Sequence, residues 1–142
     1  MNRIVLDTNI FISGFLWEGN EARLIRKIEN NEVMNFISQE ILEEIENVIK
    51  RDKFTELLDK ARIKPDEIIE KIISISHMVV GLKMKGNIVK SDPADDKFIE
   101  CAINSRSKYI VSGDNHLLNL KKYGNIQILT VPQMLKIINK KF

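Results

Sequence analysis

The sequence predicts an α/β fold: one three-layer α/β/α domain, residues 1–142, around a mainly parallel sheet of about five strands. The first observation behind this prediction is the alternation of short apolar runs with longer, helically periodic segments, as in repeated β–α–β units. The second is that the first of these runs, residues 4–6, is fully apolar, as in a strand covered on both faces of a parallel sheet. The third is a length of 142 residues with no repeat, low-complexity tract or linker to divide it.

The first half of the chain has a separate signal for each element. The apolar runs predict strands, and apolar residues that recur on one side of a segment predict helices. Ser38 is the expected N-cap of one helix, and Pro65 at a first-turn position opens another. In chain order we expect a strand at 4–6, a helix from about residue 20, a strand at 33–37, and helices from about 39, over 54–61 and over 65–75.

The second half repeats the alternation. Lysines and glycine mark a polar loop at 83–93, and Pro132 is placed to start the terminal helix. In chain order we expect a strand at 78–82, this loop, a helix over 95–105, strands at 109–111 and 126–129, and a helix from 132.

Composition and charge exclude several classes of protein. With 44% hydrophobic and 30% charged residues the chain is neither disordered nor membrane-embedded, and a single cysteine, Cys101, excludes an internal disulfide framework. We therefore expect a soluble, cytoplasmic protein. The 22 basic and 20 acidic residues leave a net charge of +2, too little to hold nucleic acid by net charge alone. P-loop, dinucleotide-binding and nucleophile-elbow motifs are missing from the sequence.

Acidic residues stand where a parallel sheet is expected to bind ligands. Asp7 and Asp114 each follow a predicted strand, and the carboxyl ends of parallel strands form the usual ligand site. Asp95 heads the apolar stripe of its own predicted helix, and Asp92 lies just before it in the loop. Gathered carboxylates repel one another unless a cation is shared, and oxygen-only ligands favour Mg²⁺ or Mn²⁺.

Helical spacing leaves one acidic position open. Glu44 and Glu46 flank opposite edges of the apolar stripe of the helix that begins near residue 39, and spacing alone does not choose between them. Any single strand-end Asp is more often a cap or turn residue, so the combination of positions carries the prediction. Two rival classes also remain: a receiver-like signalling domain, and a non-catalytic module that binds RNA or protein.

Four segments together resemble the PIN domain, a family of metal-dependent ribonucleases, and within it the prokaryotic toxin-like (VapC-like) group. They are IVLDTNI at 4–10, SQEILEEIENVIKRDK at 38–53, DPADDKF at 92–98 and YIVSGD at 109–114. The resemblance places the family's acidic residues on Asp7, Glu44, Asp95 and Asp114, which selects Glu44 over Glu46 and Asp95 over its neighbour Asp96.

The resemblance also implies roles and partners. The four acids would hold Mg²⁺ or Mn²⁺ and catalyse hydrolysis of RNA phosphodiester bonds. Residues that would orient carboxylates or water around them are Asn9, Ser112, Asp92 and Asp96. The implied partners are single-stranded or structured RNA, a small antitoxin protein and a second copy of the chain, with no membrane. Basic residues near the acids are candidates for RNA binding: Lys83, Lys85, Lys90, Lys121 and Lys122.

Overall fold

A computed structural model describes residues 1–81 and 95–140, and it has a six-stranded sheet with helices packed around it. The elements in chain order are β1 (Arg3–Leu6), α1 (Thr8–Leu16), α2 (Asn20–Glu29), β2 (Met34–Ser38), α3 (Gln39–Ile49), α4 (Asp52–Lys60), α5 (Pro65–Ile75), β3 (Ser76–Val79), α6 (Asp96–Ser105), β4 (Tyr109–Val111), α7 (Asn115–Leu120), β5 (Lys122–Tyr123), β6 (Ile126–Leu129) and α8 (Val131–Asn139).

The strand order is β3-β2-β1-β4-β6-β5, which confirms the α/β class and the mainly parallel sheet. All neighbouring strands pair in parallel except the short β5, which is antiparallel to β6. Consecutive strands extend from β1 first to one side, through β2 and β3, and then to the other, beginning at β4. The order therefore reverses between β1 and β4, and a ligand crevice is expected at their carboxyl ends.

The centre of the sheet is apolar and fully covered. Ile4, Val5 and Leu6 of β1 are 0% exposed, and β4 is buried over its whole length. Helix α6 packs across β1 and β2, while α3 packs against α5. Because this burial fixes β1 and β4, it also fixes where the chain leaves them: Asp7 directly follows β1, and Asp114 lies three residues beyond the end of β4.

A close helix contact fixes the segment after β1. A Cβ atom on Gly14 of α1 would lie 2.5 Å from the Ile25 side chain and 3.1 Å from the backbone oxygen of Glu21, so only glycine allows this approach to α2. The contact holds the first turn of α2 against α1. Among residues 1–81 and 95–140, no helix is long and apolar enough to span a bilayer.

Several predicted boundaries are wrong. The strand expected at 78–82 is β3, Ser76–Val79, where the Asn35 amide of β2 donates a 2.8 Å hydrogen bond to the Ser76 hydroxyl. It is an edge strand, so Met78 is 48% exposed, and Val80 beyond it is 94% exposed. Helices α1 and α7 and strand β5 were not predicted. Helix α1 is buried or half-buried at nearly every position, so it has no polar stripe to reveal its period.

Candidate active site

A cleft of about 200 Å³ lies at the carboxyl ends of β1 and β4. Four acidic residues from four separate parts of the chain reach it: Asp7 after β1, Glu44 on α3, Asp95 before α6, and Asp114 after β4. The remaining lining residues are Thr8, Asn9, Val48, Arg51 and Phe98. The structure thus brings together in one cavity the four residues that the sequence singled out.

Asp7 is the most buried of the acids that follow a strand, with 5% exposure. It is the N-cap of α1, and its carboxylate accepts hydrogen bonds from the backbone N–H of Ile10 (3.2 Å), the backbone N–H of Gly113 (3.3 Å) and the Ser112 hydroxyl (2.5 Å). Burial raises the pKa of Asp7 above its usual 3.8, the three donors oppose the rise, and the charge of Asp114 adds to it.

Ser112 joins Asp7 to Asp114. Its hydroxyl donates to Asp7 and accepts a 2.9 Å hydrogen bond from the backbone N–H of Asp114. Asp114 is the N-cap of α7 and accepts from the backbone N–H of His116 at 2.9 Å. The buried hydroxyl thus orients the Asp7 carboxylate and holds the backbone of Asp114, and each of the two carboxylates also caps the first turn of a helix.

Glu44 enters from α3, and protein donors hold both of its carboxylate oxygens. The Thr8 hydroxyl donates to Oε2, and the Lys97 ammonium donates to Oε1 at 2.7 Å. The Lys97 side chain is 17% exposed and that of Glu44 is 31% exposed, so this ion pair is largely screened from water. Glu46, the alternative on the same helix, is half-buried but does not line the cleft.

Asp95 and Asp96 begin α6, and the structure distinguishes them. Asp95 is the N-cap of the helix, is 8% exposed and lines the cleft. Asp96 is 9% exposed and does not line it. Asp92 and the lysines Lys83, Lys85 and Lys90 lie outside the described residues.

A second cleft of about 530 Å³ adjoins the first, because both are lined by Asp7, Asn9 and Asp114. Its other walls come from α1, from the first turn of α2 and from the start of α7: Ile10, Ser13, Glu21, Gly113, Asn115 and His116. Asn9 is exposed at the boundary between the two clefts. The acidic residues therefore stand on an open depression with two compartments.

Two basic residues at the site were not predicted, and two that were predicted lie elsewhere. Lys97 pairs with Glu44 and Arg51 lines the acidic cleft, whereas Lys121 and Lys122 are exposed around the start of β5 and line neither cleft. Neither residue had a signal in the sequence. Arg51 lies beyond the end of α3 as the N-cap of α4, and the contact of Lys97 depends on how α6 packs beside α3.

The chemistry of the cleft's acidic side chains can be compared with what a metal ion requires of its ligands. Carboxylate oxygens are the ligands that Mg²⁺ and Mn²⁺ take, so the chemistry of the cleft fits a hard divalent cation. Within residues 1–81 and 95–140, however, no three Asp, Glu, His or Cys side chains form a group able to hold a metal as they stand. Of the roughly four acceptor positions of a carboxylate, Asp7 uses three and Glu44 two, so each keeps capacity for a cation.

The fold and the cleft define the class: an α/β protein with an acidic site at the switch point of a parallel sheet. Comparison with protein families matches residues 3–116 to the PIN domain, so the chain belongs to the PIN-domain family. PIN domains are generally metal-dependent nucleases and typically use divalent metals. A search of curated proteins finds no significant match to this chain.

Proposed function

We propose that this protein is a metal-dependent ribonuclease that hydrolyses RNA phosphodiester bonds. The observation that carries the proposal is the convergence of Asp7, Glu44, Asp95 and Asp114 on one cleft from four separate parts of the chain. Each alone could be a cap or a solvated side chain. Placing all four around about 200 Å³ concentrates negative charge that a divalent cation would neutralise.

The proposed chemistry divides between cation and protein. Asp7, Asp95, Asp114 and Glu44 would hold Mg²⁺ or Mn²⁺, which when bound lowers the pKa of water and stabilises charge on the phosphoryl group. Ser112 holds Asp7 in a fixed orientation, and Thr8 holds Glu44. Arg51 lines the cleft and would attract the phosphate backbone toward the acids. No side-chain nucleophile is needed.

We further propose that the protein is the toxin of a toxin–antitoxin pair and acts in the cytoplasm. The similarity of its four motif segments to toxin-like PIN domains supports this role. A small antitoxin would then block the acidic cleft, and the toxin would form a homodimer. Co-expression with the product of a neighbouring small reading frame tests the pair: the complex should form, and cleavage should be lost in it.

The activity is tested by incubating the protein with single-stranded RNA and with DNA of the same sequence, with Mn²⁺ or with EDTA. We expect cleavage of RNA only when metal is present. Asp7→Asn and Glu44→Gln should lower the cleavage rate at least 100-fold, on the scale expected for loss of a general acid–base or charge-stabilising group.

The structure supplies a matched control for each variant. Glu43 is the exposed neighbour of Glu44 on the same helix, and Asp59 is an exposed acid on α4. Glu43→Gln and Asp59→Asn should retain full activity. Circular dichroism should show that all four variants are folded. Full cleavage by folded, metal-supplied Asp7→Asn would overturn the proposal, and RNA binding without cleavage by the unmodified protein would favour a non-catalytic binding module.

A further inference from the structure

A basic groove lies between α2 and α8, away from the acidic cleft. Its volume is about 520 Å³, and its lining carries four cations against one carboxylate. The cations are Arg23, Arg26, Lys27 and Lys136, and the carboxylate is Glu32. The net charge of the whole chain is only +2 and does not reveal this local concentration of positive charge. Such a concentration produces a local positive potential that attracts a polyanion.

The cations differ in how far they are already neutralised. Lys27 pairs with Glu32 at 3.3 Å, both side chains being 30% exposed, and Arg26 lies 3.7 Å from the highly exposed Glu18. In residues 1–81 and 95–140, Arg23 and Lys136 have no such pairing with a carboxylate; Arg23 only donates a 3.4 Å hydrogen bond to Asn20. Both are exposed. Arg23 and Lys136 are therefore the cations most available to an incoming anion.

The other residues that line the groove favour binding of a nucleic-acid backbone over binding of its bases. Three amide side chains, Asn20, Asn30 and Asn139, can hydrogen-bond to phosphate or sugar oxygens. None of the groove's lining residues is aromatic, so bases have no surface on which to stack. This composition fits binding that follows a phosphate chain and tolerates any sequence.

The groove is connected to the acidic site through the start of α2. Asn20 lines the basic groove, and the next residue, Glu21, lines the cleft that Asp7 and Asp114 share. A chain lying along α2 would therefore pass from the groove directly to the acids.

We infer that the α2–α8 groove binds the phosphate backbone of single-stranded RNA and leads it to the acidic cleft. This inference rests on the proposed ribonuclease function for its direction toward the cleft, but the binding itself can be measured without cleavage. An acidic protein segment is the competing occupant, and the test below separates the two.

The experiment measures binding of a fluorescent single-stranded RNA to full-length protein carrying Asp7→Asn, in EDTA, at several salt concentrations. Arg23→Gln combined with Lys136→Gln should remove two phosphate contacts. For single strands each contact contributes about 0.7 to the salt slope, so the slope should fall by about 1.4 and binding at 0.1 M salt should weaken about 25-fold. Lys60→Gln combined with Lys64→Gln removes the same charge from exposed positions on and beyond α4, and the slope should stay unchanged.

The same variants in the unmodified background separate this inference from the proposed function. If RNA is cleaved, the groove variant should lose efficiency on long RNA and keep it on an RNA too short to reach the groove. If nothing is cleaved but the salt slope still falls as expected, the groove inference stands and the ribonuclease proposal fails. An unchanged slope, an equal fall in the control, or tight binding of polyglutamate in preference to RNA would overturn the groove inference.

Discussion

The Lys97–Glu44 ion pair should stabilise the fold much more than a surface ion pair does. Its atoms are 2.7 Å apart, and both side chains are less than one-third exposed. Exposed pairs contribute about 0.2–1 kcal/mol, whereas removing one partner of a fully buried pair costs about 3–5 kcal/mol. A half-buried pair lies between these limits, so we expect a coupling energy of about 1.5 kcal/mol.

The perturbation is a double-mutant cycle with Lys97→Met and Glu44→Gln. Lys97→Met leaves one oxygen of a half-buried carboxylate without its charged donor, and it should lower the free energy of unfolding by about 2 kcal/mol. For a domain of this size that corresponds to a fall in Tm on the order of 7 °C. Glu44→Gln removes the charge but keeps the shape, and the difference between single and double variants isolates the pair.

The assay is urea unfolding of the four proteins at pH 7 in EDTA, at low salt and at 0.5 M NaCl. The exposed pair of Lys71 and Glu29, at 3.6 Å with side chains 53% and 35% exposed, supplies a matched cycle in the same chain. Its coupling should be a few tenths of a kcal/mol and should vanish in salt, whereas that of Lys97 and Glu44 should persist. Equal couplings in the two cycles would refute the reasoning from burial.

Three further predictions concern ionisation, metal and thiol chemistry. Because burial raises the pKa of Asp7, the wild type should lose stability as pH rises from about 3.8 through the raised value. Asp7→Asn should lack this loss when the free energy of unfolding is measured against pH, and an equal loss in the two proteins would contradict the prediction. Mn²⁺ at 100 times its Kd should stabilise the wild type against thermal unfolding by about 2.7 kcal/mol, and the stabilisation should be larger at pH 7.5 than at pH 5. An equal stabilisation of Asp7→Asn would exclude the Asp7 carboxylate as a metal ligand. Cys101 is buried and its pKa is raised to about 12, so a thiol reagent should label it only after unfolding; fast labelling of native protein would show that the helix opens.

Much of the fold was predictable because its elements have strong periodic signals. Strand β4 and helix α5 have the predicted bounds, since apolar runs and Pro65 mark them. Helix α1 could not be found in the same way. Its Ile10, Phe11 and Ile12 are consecutive and all buried, so the segment has the pattern of a buried strand as much as that of a helix. Whether the segment forms a helix or a strand depends on how it packs in the folded protein, and local sequence does not reveal that packing.

The acidic part of the site was more predictable than its basic part. Asp7 and Asp114 follow directly from the ends of two adjacent parallel strands, because topology alone brings them together. The contact between Glu44 and Lys97 joins residues 53 positions apart on different helices. Periodicity places each on its own helix face, but the distance between their charged atoms depends on how α3 and α6 pack. The basic groove likewise requires α2 and α8 to be neighbours.

Capping and catalysis are compatible roles for Asp114, and one pair of substitutions can separate them. Its Oδ1 accepts the cap hydrogen bond from the His116 N–H, while a carboxylate has about four acceptor positions in all. The cap therefore fixes the orientation of the group, and the carboxylate, which belongs to a residue lining the cleft, keeps further acceptor capacity. Asparagine is as good an N-cap as aspartate, whereas alanine costs about 1 kcal/mol at such a position.

Asp114→Asn should therefore keep the stability of α7 and lose RNA cleavage, while Asp114→Ala should lose both. Urea unfolding measures the first property, and the Mn²⁺-dependent cleavage rate measures the second. The prediction requires that RNA cleavage depend on the negative charge of residue 114 and that stability depend on its ability to accept the cap hydrogen bond. If Asp114→Asn cleaves RNA as fast as the unmodified protein, Asp114 is a cap alone, and the charge that holds a metal must come from Asp7, Glu44 and Asp95.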